Sequence, residues 1–183
     1  MINKKLISFA LFFFATAATA QESQWDVTIP RGQTRTIEFT TTEGTFISVD
    51  ISPDGTWVVF DLLGHVYRVL AAGGDAECLT CNSGIALNYN PRYAPDGTQI
   101  AFISDRKGQN NLWIMDADGE NPRPVAEDLM VRAFEPEWTT DGRYLLVRRQ
   151  EMAALGQSGE SGIWLYHIDG GGGVEIVGSD VPA

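Results

Sequence analysis

Residues 90–126, NPRYAPDGTQIAFISDRKGQNNLWIMDADGENPRPVA, place two turn signals around apolar runs and contain no obvious nucleophile, base or metal cluster. The same skeleton occurs upstream in SPDGTWVVFDLLGHVYRVLAAGGDAECLT, residues 52–80, and begins again in TTDGRYLLVRR, residues 139–149. Aligning the copies on Asp54, Asp96 and Asp141 gives spacings of about 42 and about 45 residues, the period of four-stranded propeller blades. After each Asp-Gly pair comes a run that is apolar on both faces: Val58-Val59-Phe60, Ile100-Ala101-Phe102 and Leu145-Leu146-Val147. A strand apolar on both faces is packed on both faces.

The next element of each copy, Val66–Val69, Leu112–Met115 and Ile163–Tyr166, has an aromatic residue at its second position: Tyr67, Trp113 and Trp164. Their equivalence favours packing between blades over a ligand platform. Each element runs into a glycine turn suited to positive φ: Gly73-Gly74, Asp118-Gly119 or Gly170-Gly171. Weaker fourth strands are expected at 77–80, 123–126 and 174–177. In the Pro-Asp-Gly turns, Pro presets φ, Asp caps nearby backbone and Gly takes the left-handed corner. Thr140 replaces the proline in the third copy, so the Asp-Gly pair does most of the turning. The third copy also carries RRQEMAALGQSGESG, residues 148–162, whose polar, Gly-rich second half predicts a projecting loop. The expectation is an all-β fold: a partial propeller of three four-stranded antiparallel blades at about 46–81, 88–127 and 133–178, within a propeller region 46–183.

Upstream, residues 21–45 form a β-type segment, and Thr36–Phe39 suits a strand that completes a last blade. The chain opens MINKKLISFALFFFATAATAQE, where Lys4 and Lys5 precede an apolar run and Ala18-Thr19-Ala20 offers a cleavage site. We read residues 1–20 as an export signal. The run is shorter than the roughly 20 residues of a spanning helix, so membrane insertion is not expected after cleavage, and a periplasmic address is. The whole chain has a formal charge of −11, and removal of the two lysines makes it more acidic. Nucleic acid and anionic membrane surfaces would repel it.

Cys78 and Cys81 form the run CLTC. In an oxidising compartment they are a short disulfide or two free thiols, and a bond requires a turn at Leu79-Thr80. With only His65 and His167 available, no zinc set is complete and neither a metal nor a cofactor is expected. Both histidines suit turn or surface positions. DADGENP, residues 116–122, alternates Asp116, Asp118 and Glu120 like a calcium loop, but it falls where each blade turns between its third and fourth strands and is read as a turn.

Counting back from each Asp-Gly, the innermost strands alternate. Val49 and Ile51, Pro91 and Tyr93, and Pro136 and Trp138 form an apolar set; Ser48, Asp50, Asn90, Arg92, Glu135 and Glu137 form a polar one. Period two places each set on its own face. The polar set is expected at the axial channel or a blade junction, where binding competes with ion pairing. Arg92 should pair with Asp50 or Glu137.

Across nearly all of residues 46–177, these units resemble the WD-like propeller repeats of TolB and its periplasmic relatives. The wording FDLLGHVYRV and GIWLYHIDGG, with WDVTIPRG in front, is similar to the propeller preceding a metal-dependent amidohydrolase domain in exported bacterial proteins. Such propellers also precede prolyl-oligopeptidase hydrolase domains. The amidohydrolase resemblance implies an HxH pair with further His and Asp ligands, which His65 and His167 do not supply. The hydrolase elbow G-x-S-x-G has its nearest counterpart in GQSGE, residues 156–160, without the final glycine. No catalytic residue carries over. Two functions follow: a scaffold binding a protein or peptide partner, or the propeller part of a hydrolase whose C-terminal catalytic domain lies in a longer parent.

Overall fold

A computed structural model of the chain describes residues 26–152 and 158–178; the export signal expected at 1–20 lies outside them. Among the described residues twelve strands run in sequence: β1 (Val49–Ile51), β2 (Trp57–Leu62), β3 (His65–Leu70), β4 (Glu77–Cys78), β5 (Asn88–Tyr93), β6 (Gln99–Ser104), β7 (Asn111–Asp116), β8 (Arg123–Pro124), β9 (Val131–Trp138), β10 (Tyr144–Met152), β11 (Ser158–His167) and β12 (Val174–Val177). They form three antiparallel four-stranded sheets, each ordered as the chain runs: β1 to β4, β5 to β8 and β9 to β12. These are three propeller blades. No helix among the described residues is long and apolar enough to cross a membrane.

The Asp-Gly turns open each blade as expected. Gly55, Gly97 and Gly142 donate their N–H groups to Ser52, Ala94 and Thr139 carbonyls at 2.8, 2.8 and 2.9 Å. The aspartates tie down the outgoing strand: Asp54 accepts from the N–H of Thr56 at 3.0 Å, Asp96 from that of Thr98 at 2.9 Å, and Asp141 from that of Arg143 at 3.1 Å. In blades one and three a hydroxyl, Ser52 or Thr139, adds a 2.6 Å bond to the same carboxylate. Ala94 in blade two cannot.

Two apolar layers hold the blades together, and the sequence alternation of β6 and β7 assigns residues to each. Ile100, Phe102, Trp113 and Met115 pack on blade one with Val59, Val66 and Leu79. Their neighbours Ala101, Ile103, Leu112 and Ile114 face the other way, against Ala133, Leu145, Val147 and Tyr166 of blade three. The equivalent aromatics Trp113 and Trp164 each pack toward the preceding blade. Tyr67, in blade one, stacks instead on Phe60 with ring centroids 5.7 Å apart. Gly119 shows how close the blades come, because an added Cβ there would lie 2.9 Å from the Leu79 carbonyl oxygen.

Two expectations need correction. Residues 148–152 and 158–162 are not loop: they extend β10 and β11, with Arg148 opposite Ile163 and Gln150 opposite Ser161, while residues 153–157 of the expected loop lie outside the described residues. Backbone pairing needs no apolar side chains, so polar composition does not mark the strand's end. The strand expected at 36–39 is not formed, and residues 26–48 carry turns and irregular backbone with Ile37 and Phe39 exposed. A strand requires a ladder partner, and none of the three sheets extends to this segment. The segment 116–122 is the expected turn: Gly119 N–H donates to Asp116 O at 2.9 Å and Asn121 Nδ2 to Asp116 Oδ2 at 2.7 Å.

Candidate functional site: the axial row and the CLTC corner

The first strand of each blade, β1, β5 and β9, touches its counterpart in the next blade, so these strands line the axial side of the arc. Cross-strand partners share a face. Asp50 lies opposite Val59, which points to blade two; Arg92 lies opposite Ala101, which points to blade three. Glu137 lies opposite Leu146, on the face turned from blade two. Asp50 and Arg92 therefore face the following blade and Glu137 the equivalent face of blade three, while Tyr93 and Trp138 pack toward the preceding blade.

Arg92 reaches in both directions around the axis. Its Nε donates to Glu137 Oε2 of blade three at 3.2 Å, and its Nη1 to Ser48 Oγ of blade one at 2.9 Å. The same Nη1 also meets the Pro91 carbonyl at 2.8 Å. The Arg92 side chain is 25% exposed and that of Glu137 67% exposed, so the pair borders solvent and contributes under about 1 kcal/mol to stability. Asp50 does not join it. Its Oδ2 instead accepts the Tyr93 N–H at 2.8 Å across the blade junction.

Period two holds for Asp50, Arg92 and Glu137 but not for Asn90 and Glu135. Asn90 and Glu135 have φ of 53° and 52° and sit where the ladders slip, between Tyr89 and Arg92 in blade two and beside Leu146 and Arg148 in blade three. Each is the extra residue of a β-bulge, which re-aims its neighbours. Glu135 turns to Arg148 Nε at 3.2 Å, and the Arg148 guanidinium lies 4.5 Å from the Phe134 ring centroid. The N–H that the bulge frees at Asn90 is taken by Asp61 Oδ2 at 2.7 Å, and Asp61 Oδ1 accepts Ser48 N–H at 3.1 Å. Asp61 is a buried carboxylate joining blade one to blade two, and the sequence reading missed it. Its signal was an acid within the apolar run VVFDLL, because a carboxylate buried in such a strand needs partners.

Near this junction Asp61, Leu62, Leu63, Gly64, Leu87 and Tyr89 line a cavity of about 260 Å³. Burial pushes the Tyr89 phenol up to about 12.

At the far edge of blade one, Cys78 and Cys81 are joined by a disulfide with Cα atoms 5.7 Å apart. The chain turns after Cys78, through Leu79 and Thr80, as the bond requires. His65, read from sequence as an isolated turn residue, stands beside the pair: one of its ring nitrogens and the two sulfurs lie within 4.8 Å of one another. Strand pairing makes this neighbourhood, since Tyr67 lies opposite Cys78 and His65 is two residues along the same face. Sequence spacing could not show it without the β3–β4 register. His167 lies elsewhere, with Nδ1 3.5 Å from Asp169 Oδ2.

No protein-family model matches the chain. The putative TolB from Agrobacterium tumefaciens superposes with a TM-score of 0.62 at 22% identity, covering 75% of this chain and 52% of that one. In sequence, the uncharacterized peptidase YuxL of Bacillus subtilis is 41% identical over 59 residues, 32% of this chain and 9% of its own length. The lasso peptide isopeptidase AtxE2 of Asticcacaulis excentricus is 25% identical over 132 residues, 68% of this chain and 17% of its own length. The chain thus spans less than a fifth of these two curated relatives. The fold is a TolB-like propeller arc, a scaffold that peptidase propeller domains also use.

Proposed function

We propose that the chain is an exported, periplasmic propeller segment that binds a protein or peptide through its axial face and performs no chemistry itself. The observation that carries this reading is the Ser48–Arg92–Glu137 bridge. It ties one side chain from each of three blades into a solvent-bordering polar row, in which Asp50, Glu135 and Glu137 outnumber Arg92 and Arg148. Together with the acidic chain, this favours a ligand segment carrying positive charge. The test is calorimetric titration of the purified protein with short basic, neutral and acidic peptides. The basic peptide should bind best, and binding should weaken at least about tenfold in a Glu135→Gln/Glu137→Gln variant, equivalent to about 1.4 kcal/mol. Equal affinity for all three peptides, or an unaffected double variant, would contradict an axial site.

A second reading is favoured by the peptidase names of the sequence relatives: the blades belong to the propeller of a hydrolase and gate or position its substrate. A prolyl-oligopeptidase-type parent agrees better with those names than does the amidohydrolase suggested by the wording of blades one and three. The genomic reading frame that encodes these residues discriminates between them. A G-x-S-x-G elbow downstream supports the peptidase parent, His-rich metal motifs the amidohydrolase, and further blades followed by a stop the binding scaffold.

A further inference from the structure

The CLTC corner carries a property that neither reading uses. The turn bearing Cys81 is fastened to β3 by contacts that do not involve sulfur. Leu79 N–H donates to Val66 O at 2.8 Å, and Val66 N–H to Thr80 Oγ1 at 2.9 Å. The Thr80 carbonyl then receives the Ser83 hydroxyl at 2.7 Å and the Ser83 N–H at 3.0 Å. Thr80, Ser83 and Leu79 are all buried. Opening the disulfide leaves this clamp in place, so two thiols and the His65 ring remain neighbours.

We propose that reduction of Cys78–Cys81 converts the corner into a binding site for a thiophilic divalent cation of the zinc type. His65, Cys78 and Cys81 are its three protein ligands, and water fills the fourth position. Two cysteines separated by two residues form the usual chelating pair of zinc sites. The donor atoms lie within 4.8 Å of one another; once the S–S bond opens, the sulfurs part and the imidazole closes in to the roughly 3.3–3.8 Å that tetrahedral coordination at zinc bond lengths requires. His65 Nδ1 lies 3.2 Å from Thr80 O. With Nδ1–H donated there, the Nε2 lone pair is left for the metal, the arrangement in which a backbone carbonyl orients a ligating imidazole. Cys81 is exposed and His65 and Cys78 are half-buried, which gives reductant and ion a route in.

The chemistry balances with a phosphine as reductant. The S–S bond breaks, one water supplies two protons to the sulfurs and an oxygen to phosphorus, and the phosphine leaves as its oxide. A small dithiol does the same by exchange and leaves as its own disulfide. Metal binding then releases the two thiol protons. In the oxidised protein neither sulfur is a thiolate, so the site is closed.

Cobalt(II) alone, titrated into the phosphine-reduced full chain, tests this. The expected result is a thiolate-to-cobalt charge-transfer band with intense four-coordinate d–d bands, both missing from the oxidised protein. Affinity should fall at least about tenfold in His65→Ala, one lost ligand. Should that variant fold poorly, X-ray absorption of zinc bound to the reduced wild type reads the same ligand set: two sulfurs with nitrogen or oxygen. A reduced protein without the bands, a His65→Ala variant that binds cobalt equally well, or a zinc shell without two sulfurs would each overturn the proposal.

Discussion

Blade two and the outer edge of blade three are built from similar strands but are held very differently. In blade two, residues 100–104 of β6 and 111–115 of β7 are buried without interruption, because each face of the sheet meets a neighbouring blade. In β12 all four residues are exposed, Val174 to 62% and Ile176 to 54%. Blade one shows an intermediate state, with Val59 and Val66 buried against blade two while Val49 and Ile51, on its other face, lie open. A propeller blade therefore draws its stability from its neighbours more than from its own ladder, as in other repeat arrays.

The largest effects are expected from side-chain truncation in the two regions. Phe102→Ala, between blades one and two, should cost about 3–5 kcal/mol and Leu112→Ala, between blades two and three, about 2–5 kcal/mol. Ile176→Ala at the open edge should stay within about 0.5 kcal/mol. Urea denaturation of the three variants measures the contrast, and similar costs in both regions would refute neighbour-derived stability.

A smaller effect is expected at the polar part of the blade one to blade two junction. Asp61→Ala leaves the Ser48 and Asn90 N–H groups without their carboxylate, at a cost of about 1–3 kcal/mol. The same denaturation experiment reads it. A neutral substitution would show that the bulge at Asn90 satisfies its backbone in another way.

The smallest effect concerns a single turn. Hydrogen bonds from Thr139 and Arg143 hold the Asp141 carboxyl down at about 2, below its usual 3.8. A depressed carboxylate stabilises the fold fully above the unfolded value and loses that contribution as pH falls through the folded one. Stability should therefore decline between about pH 3.8 and about pH 2, and Asp141→Asn should flatten that part of the profile. An unchanged acid profile in the variant would remove the turn from the account.

Much of this was legible in the sequence, because the signals were local and repeated. The Asp-Gly turns, the doubly apolar runs at 58–60, 100–102 and 145–147, and the fourth strand at 174–177 each follow from short-range chemistry. What escaped depends on register. The bulges at Asn90 and Glu135 insert one residue into a ladder, so counting by twos fails across them although it succeeds for Asp50, Arg92 and Glu137. Asp61 and His65 acquire partners from other strands, and no spacing along the chain announces those. The pairing of 148–152 with 158–163 escaped because polar side chains concealed a backbone that pairs normally.

Hydrogen–deuterium exchange resolved by blade tests most directly whether neighbours stabilise blades. Amides of β6 and β7 should exchange slowest, through the largest opening of the structure, and those of β12 and β1 fastest, through local opening. Equal protection across all three blades would contradict the account, because each blade would then be stable by its own ladder.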